Sequence, residues 1–253
     1  MGLKESGLRG SLRNVSVGID AIPDSVVYHP VVSEAALSEG DPISSIPDLV
    51  ADDDWSAVGS PTYRADEING EDVAELDGID DGFVSDAAGS DFTFLHDGTD
   101  FAVLLVYEVD DATPSDFYAF MNTSDGTGSN LGYQHTLRDS EGGEHVRIGD
   151  GSSVIIGATD SSGLTTANSV HIQEFELDEE TGTVRVDGDI SDSDSGTGFS
   201  SSNPSSNAHL GCTDGDSDFL SGEFAEGMIL KEPEDGDVVQ ARDYLASKYG
   251  ISL

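Results

Sequence analysis

Ile68-Asn69-Gly70-Glu71-Asp72-Val73-Ala74-Glu75-Leu76-Asp77-Gly78-Ile79-Asp80-Asp81-Gly82-Phe83 reads as a turn, a strand, a second turn and the start of another strand. Asn69-Gly70 marks a tight turn, because both residues accept the positive φ that such turns require. Val73 and Leu76 lie out of phase for one face of a strand. Their spacing predicts a bulge or a frayed first residue if both are core. The next six residues, Asp77 to Gly82, hold three carboxylates and two glycines. Asp77, Asp80 and Asp81 suit a tight loop that holds a hard cation such as calcium.

The rest of the chain repeats this alternation of short strands and acidic, glycine-rich turns. Phe101 to Val109 is almost continuously apolar, β-branched and aromatic, as a central strand buried on both faces would be. Strands are also expected at Val26–Tyr28, Phe92–Leu95, Phe117–Met121, Val146–Ile148 and Ser153–Gly157. Ser169 to Gly188 reads as a hairpin of two alternating strands. Residues 33–61 read as loop with short elements, and 189–207 as a solvated Ser, Asp and Gly loop. One helix closes the chain. Asp235 or Asp237 caps it, Val238, Ala241, Leu245 and Tyr249 share a face, and Lys248 and Gly250 suit its end. The fold class is therefore all-β, an antiparallel two-sheet sandwich with a short C-terminal helix.

Composition narrows the partners. Ten basic residues stand against 51 acidic ones, a formal charge of −41. That charge disfavours nucleic acid and anionic membranes, and no apolar run reaches the roughly 20 residues of a membrane span. The strand pattern argues for a folded protein adapted to high salt, where screening over roughly 3 Å at 1 M weakens self-repulsion. Cys212 is the single cysteine, which excludes an internal disulfide framework and is expected to be a small buried residue. The N-terminus lacks the apolar core of an export signal, so synthesis and assembly in the cytoplasm are expected.

Residues 1–24 differ from everything after them. Lys4, Arg9 and Arg13 are three of the ten basic residues, against only Glu5, Asp20 and Asp24. This segment is expected to be an arm that docks on an acidic neighbouring subunit, with the sandwich occupying residues 25–253.

Asn69-Gly70 with the Leu76-Asp77-Gly78-Ile79-Asp80-Asp81-Gly82-Phe83 run resembles the early hallmark of concanavalin A-like (laminin-G-like) jelly-roll domains. The form most similar to it occurs in structural proteins of tailed viruses of haloarchaea. Ser60 to Tyr63, the hairpin ending in Val186-Asp187-Gly188, and Leu210-Gly211 with Phe219 to Leu230 extend the resemblance over about residues 25–253. In the arm, Gly10 to Ser16 and Ile22 to Ser25 carry it. The resemblance implies a non-enzymatic virion protein, a homo-oligomer displayed on head or tail. It would bind other virion proteins through the arm and attach to host surface glycans. A cellular glycan-binding lectin and, further off, a glycosidase are the alternatives.

Candidate chemistry is sparse. Glu174, Glu176 and Asp178 alternate on one strand face, superficially like the catalytic strand of jelly-roll glucanases. Their order departs from that family's, and a salt-adapted, solvated face is the expectation. The six histidines lack zinc-ligand spacing. Asp214, Asp216 and Asp218 sit at i, i+2 and i+4, as in a calcium loop, without the downstream glutamate of an EF-hand. Calcium or another salt cation, here or at Asp77, Asp80 and Asp81, is the only cofactor expected. Trp55, the single tryptophan, is a candidate sugar-stacking platform, although a loop anchor is the commoner role.

Overall fold

The computed structural model describes residues 22–115, 117–124, 131–138, 143–159, 163–204 and 206–253. The proposed arm residues Lys4, Arg9 and Arg13 lie outside them. In chain order the strands are β1 (Val26–Tyr28), β2 (Ser45–Ile46), β3 (Trp55–Val58), β4 (Thr62–Ile68), β5 (Glu71–Asp77), β6 (Gly82–Ser85), β7 (Phe101–Val109) and β8 (Tyr118–Asn122). They continue with β9 (Gly132–Arg138), β10 (Gly143–Gly149), β11 (Val154–Thr159), β12 (Val170–Asp178), β13 (Thr181–Val186), β14 (Asp189–Ser195), β15 (His209–Leu210) and β16 (Ser221–Lys231). Helix α1 (Asp237–Tyr249) follows. One sheet runs β14-β13-β12-β7-β16-β5-β4, with β1 beside β16, and the other runs β11-β10-β9-β8-β15-β6-β3-β2. All the strand pairs are antiparallel.

β7 explains why there are two apolar layers. Phe101, Val103, Leu105, Tyr107 and Val109 point between the sheets, into a core shared with Phe83, Phe120, Tyr133, Phe175 and Phe224. Ala102, Leu104 and Val106 point the other way, under α1, where Val238, Ala241, Leu245 and Tyr249 cover them. The expected helix face is thus the buried one. The same two-sided burial corrects the expectation for β5. Val73 packs under the helix and Leu76 between the sheets, so both are core with no bulge between them. The irregularity falls in β4 instead, between Arg64 and Ile68, where Asp66 has a φ of 60°. The Asn69-Gly70 turn forms as expected, with φ of 52° and 83°.

Three other expectations are overturned. Phe92–Leu95 is not a strand but part of a 3-10 helix, Gly89–Leu95. Phe92, Phe94 and Leu95 are all buried, a set that no period-two strand can bury on one face. The helix cap is Gly236, with no side-chain cap. Asp237 instead accepts from the Ser25 hydroxyl at 2.5 Å and the Glu234 N–H at 3.1 Å. Residues 189–195 form β14 rather than part of a solvated loop.

β14 also closes one open side of the sandwich. Its Asp194 and Asp192 carboxylates accept the Gly157 and Thr159 N–H groups of edge strand β11 at 2.9 and 2.7 Å. On the far edge of the first sheet, the 39–41 segment covers β4 through Tyr63 N–H to Asp41 O and Ala65 N–H to the Glu39 carboxylate. Unpaired strand edges invite association, and both of these are covered.

The outer face of the first sheet carries a row of carboxylates. Glu223 on β16 lies directly opposite Glu75 on one side and Glu108 on the other. Burial, with Glu108, Glu67, Glu75 and Asp110 nearby, pushes the Glu223 carboxyl up to about 7. Among the described residues, no helix is long and apolar enough to cross a membrane.

Candidate functional site

Three connections meet at one end of the sandwich: the β5–β6 turn, the β7–β8 segment and the β15–β16 segment. Between them lies an open groove of about 290 Å³, lined by Gly78, Pro114, Ser115, Phe117, Tyr118, Asp218 and Phe219. The backbone holds these segments together, since Ala119 N–H donates to Asp218 O at 2.9 Å and Leu220 N–H to Gly211 O at 2.8 Å. The chain has 18 aromatic residues (ten Phe, seven Tyr, one Trp). Thirteen of them are buried; Phe117, Tyr118, Phe199, Phe219 and Tyr244 are half-exposed. Three of those five line this one groove. Half-exposed rings gathered in a groove, rather than scattered singly, make it the candidate site among the described residues.

Carboxylates surround the groove. Asp77, Asp80 and Asp81 bring their oxygens within 4.8 Å of one another at its lip. The cluster is explained by the loop itself. Asp77 Oδ1 accepts the Ile79 and Asp80 N–H groups, while Asp81 accepts Ser60 N–H at 2.7 Å and Asp77 N–H at 3.2 Å. Gly59 is required here: it has a φ of 70°, and a Cβ would sit 2.2 Å from Asp80 O. Burial and the charges of Asp77 and Asp80 raise the Asp81 carboxyl, against the pull of its backbone hydrogen bonds. Three hard oxygen donors match part of calcium's preference for six to eight oxygens, but these carboxylates already serve the loop's N–H groups. Asp214, Asp216 and Asp218 follow β15, Asp214 and Asp216 within the turn closed by Thr213 and Ser217. Among the described residues, only the Asp77 group converges to the spacing a cation needs. The structure therefore places both acidic candidates at the same end, with Asp218 in the groove wall, without assembling Asp214, Asp216 and Asp218 into a cage.

Two other candidates move indoors. Trp55 has no exposed surface, packs edge-on against Phe92 and donates Nε1–H to the Asp48 carboxylate at 3.2 Å. It is an anchor and cannot stack on a sugar. Glu174 is likewise fully buried rather than solvated. Its carboxylate accepts from Arg242 at 2.6 and 2.8 Å and from Arg185 at 2.9 Å, and Arg185 also reaches Glu176 at 2.8 Å. Helix α1, above β12, supplies Arg242 and so removes Glu174 from water. A second buried carboxylate, Glu226, holds His29 at 2.5 Å, Lys248 at 2.6 Å and the Tyr249 hydroxyl at 2.7 Å. Both carboxylates tie the helix to its sheet. Cys212 is buried as expected, and burial pushes its thiol up to about 12, the setting of a structural rather than a reactive cysteine.

In the sequence the groove aromatics look like ordinary strand residues. One signal was present: Ser115-Asp116-Phe117 and Ser217-Asp218-Phe219 repeat a tripeptide, and the two phenylalanines share the groove. The signal does not discriminate alone, because a third copy, Ser90-Asp91-Phe92, buries its ring in the core.

No known family model matches the sequence, and no curated protein matches it significantly. Solved structures do share its shape. The receptor-binding domain of botulinum neurotoxin C/D mosaic serotype aligns with a TM-score of 0.60 at 12% identity, over 86% of this chain and 51% of that one. Domain 4 of AbnA, a GH43 extracellular arabinanase from Geobacillus stearothermophilus in complex with arabinotriose, gives 0.57 at 15% identity, over 81% and 92%. Trypanosoma rangeli sialidase in complex with sialic acid gives 0.57 at 11% identity, over 90% and 34%. This chain spans about half of the toxin structure and a third of the sialidase, but most of the arabinanase domain. At such identities the shared property is the fold, an antiparallel two-sheet β-sandwich.

Proposed function

We propose that this chain is a non-enzymatic glycan-binding β-sandwich module whose ligand lies in the groove of Phe117, Tyr118 and Phe219. The observation that carries the reading is the gathering of three of the chain's five half-exposed aromatic rings in that one groove. Aromatic rings stack on the apolar C–H faces of sugars, and nearby polar groups meet the hydroxyls. The two neighbours described with arabinotriose and sialic acid bound are consistent with it. Against catalysis, the one carboxylate row with a glucanase-like look has its first member locked by two guanidinium groups.

Phe117→Ala and Phe219→Ala are each expected to weaken binding about tenfold, the equivalent of roughly 1.4 kcal/mol, and the double variant to abolish it on a glycan array. Phe199→Ala, outside the groove lining, is the control. Binding that survives the double variant with the fold intact would move the site elsewhere.

The sequence resemblance adds a setting to this proposal: display on the particle of a halophilic tailed virus, as a homo-oligomer, with residues 1–24 gripping other virion proteins. The groove would then face host surface glycans. Chain geometry is compatible with that arrangement. Lys231 N–H donates to Ser25 O at one end of β16. At the other end, Ser221 packs against Gly78 of the groove lining. The ten intervening steps span roughly 33 Å, so the chain enters the sandwich opposite the groove. Mass spectrometry of purified particles is expected to find the protein. Particles lacking it would remove the viral setting and leave the glycan module standing.

A further inference from the structure

The groove's rings are ringed by negative charge. Asp218 is in the wall, and Asp77 and Asp80 are exposed at the lip beside Gly78. Behind Tyr118 lie Asp110 and Asp111, whose charges add to burial in raising the Tyr118 hydroxyl. Ser221 donates to the Asp110 carboxylate at 2.6 Å, which fixes that charge near the groove floor. Among the described residues, the one cation seen against a lining ring is Arg138, with its guanidinium carbon 4.4 Å from the Phe117 centroid. Arg138 also faces His145 Nδ1 at 3.0 Å, on the outer face of the second sheet. Among the described residues, five carboxylates thus lie in or near the groove, against one guanidinium on its rings.

We infer that the groove selects uncharged glycans and discriminates against those bearing carboxylate, sulfate or phosphate groups. The inference rests on the glycan-binding reading above and adds the class of ligand. An uncharged sugar ring loses nothing in such a field: its C–H face stacks on Phe117, Tyr118 or Phe219, and its hydroxyls donate to carboxylates. A sugar acid brings a charge of the same sign as its surroundings, which costs affinity in proportion to the number and nearness of those charges. The selection is electrostatic, so it weakens as salt shortens the screening length to about 3 Å at 1 M. That separates it from a steric exclusion, which salt would leave unchanged. A fold alone sets no ligand class, so the class follows from the charges at the site.

The test is an array on which neutral oligosaccharides are printed beside their sialylated, sulfated and uronic-acid counterparts. It is probed with the full chain at 1 M salt and at the lowest salt that keeps the protein folded. Neutral members are expected to bind at least tenfold better than their anionic counterparts at low salt, with the ratio shrinking at 1 M. Asp80→Asn, at the exposed lip, and Asp218→Asn, in the wall, are each expected to narrow the low-salt ratio. Anionic members bound as well as neutral ones, or a ratio indifferent to salt and to both substitutions, would overturn the inference while leaving glycan binding intact. Failure of every printed glycan to bind would overturn the glycan-binding reading itself, and the inference with it.

Discussion

Moved from molar salt into dilute buffer at pH 8, the domain is expected to lose its cooperative unfolding transition. Fifty-one acidic residues face ten basic ones, and the screening length grows from about 3 Å at 1 M to about 30 Å at 0.01 M. Repulsion is concentrated where Glu75, Glu223 and Glu108 stand abreast on three neighbouring strands. Arg64 relieves Glu75, at 2.5 Å, and also Glu39. The Glu108 carboxyl is raised by burial and by Asp110 and Glu67, with His171 opposing. The Glu223 carboxyl is pushed up to about 7 from an ordinary 4.5. A carboxyl raised in the folded state keeps its proton longer there than in the unfolded chain. Its effect is therefore a stability that falls as pH rises from about 4.5 to about 7 and stays low above. Lowering the pH from 8 to about 5 should restore part of the transition in dilute buffer. Glu223→Gln should raise the midpoint at pH 8 by a few degrees and change little at pH 5. Thermal scans by circular dichroism across salt and pH would decide. Equal midpoints in dilute and molar salt would remove the charge argument and the salt adaptation with it.

The parts of the fold that were legible in the sequence are those where one physical signal dominates. Phe101 to Val109 has no polar residue before Glu108, and its β-branched, aromatic, uncapped run fits a strand buried on both faces better than a helix. The Asn69-Gly70 turn needs positive φ, and the closing helix shows its apolar face at Val238, Ala241, Leu245 and Tyr249. The misreadings come from contacts between distant segments. Val73 and Leu76 look out of phase because a sequence window does not reveal a second core under α1. Residues 189–195 look like loop because the edge of β11 that Asp192 and Asp194 cap lies more than 30 residues away. Glu174 looks exposed because Arg242 arrives from the last helix. The groove was the least legible part: its rings come from two segments about 100 residues apart, and each reads locally as ordinary strand. Trp55 cannot serve as a sugar platform for a related reason: its buried ring packs on Phe92 and donates to Asp48, contacts that its own strand does not reveal.

Glu174 therefore supplies the sharpest test of what holds the helix layer in place. Its carboxylate has no exposed surface, and Arg185 and Arg242 are 17% and 14% exposed. Removing one partner of a buried ion pair leaves the others desolvated and uncompensated, which typically costs about 3–5 kcal/mol. For a domain of this size that corresponds to a midpoint lowered by roughly 10 °C. Glu174→Ala is expected to show that loss in molar salt, because buried pairs are screened much less than exposed ones. Glu176, 25% exposed and sharing Arg185, should cost about 1 kcal/mol or less when changed to Ala. The decisive variant is the double exchange Glu174→Leu with Arg242→Met. It removes the helix-to-sheet pair while leaving Arg185 its Glu176 partner, and it fills the space with apolar atoms beside Leu245 and Ile172. Such replacements are often neutral or stabilising, so most of the loss should return. If Glu174→Ala is tolerated within about 1 kcal/mol, the helix is held by its apolar face and by Glu226, without help from Glu174. If the double exchange is as damaging as the single one, the guanidinium of Arg242 has a role in the fold beyond neutralising Glu174.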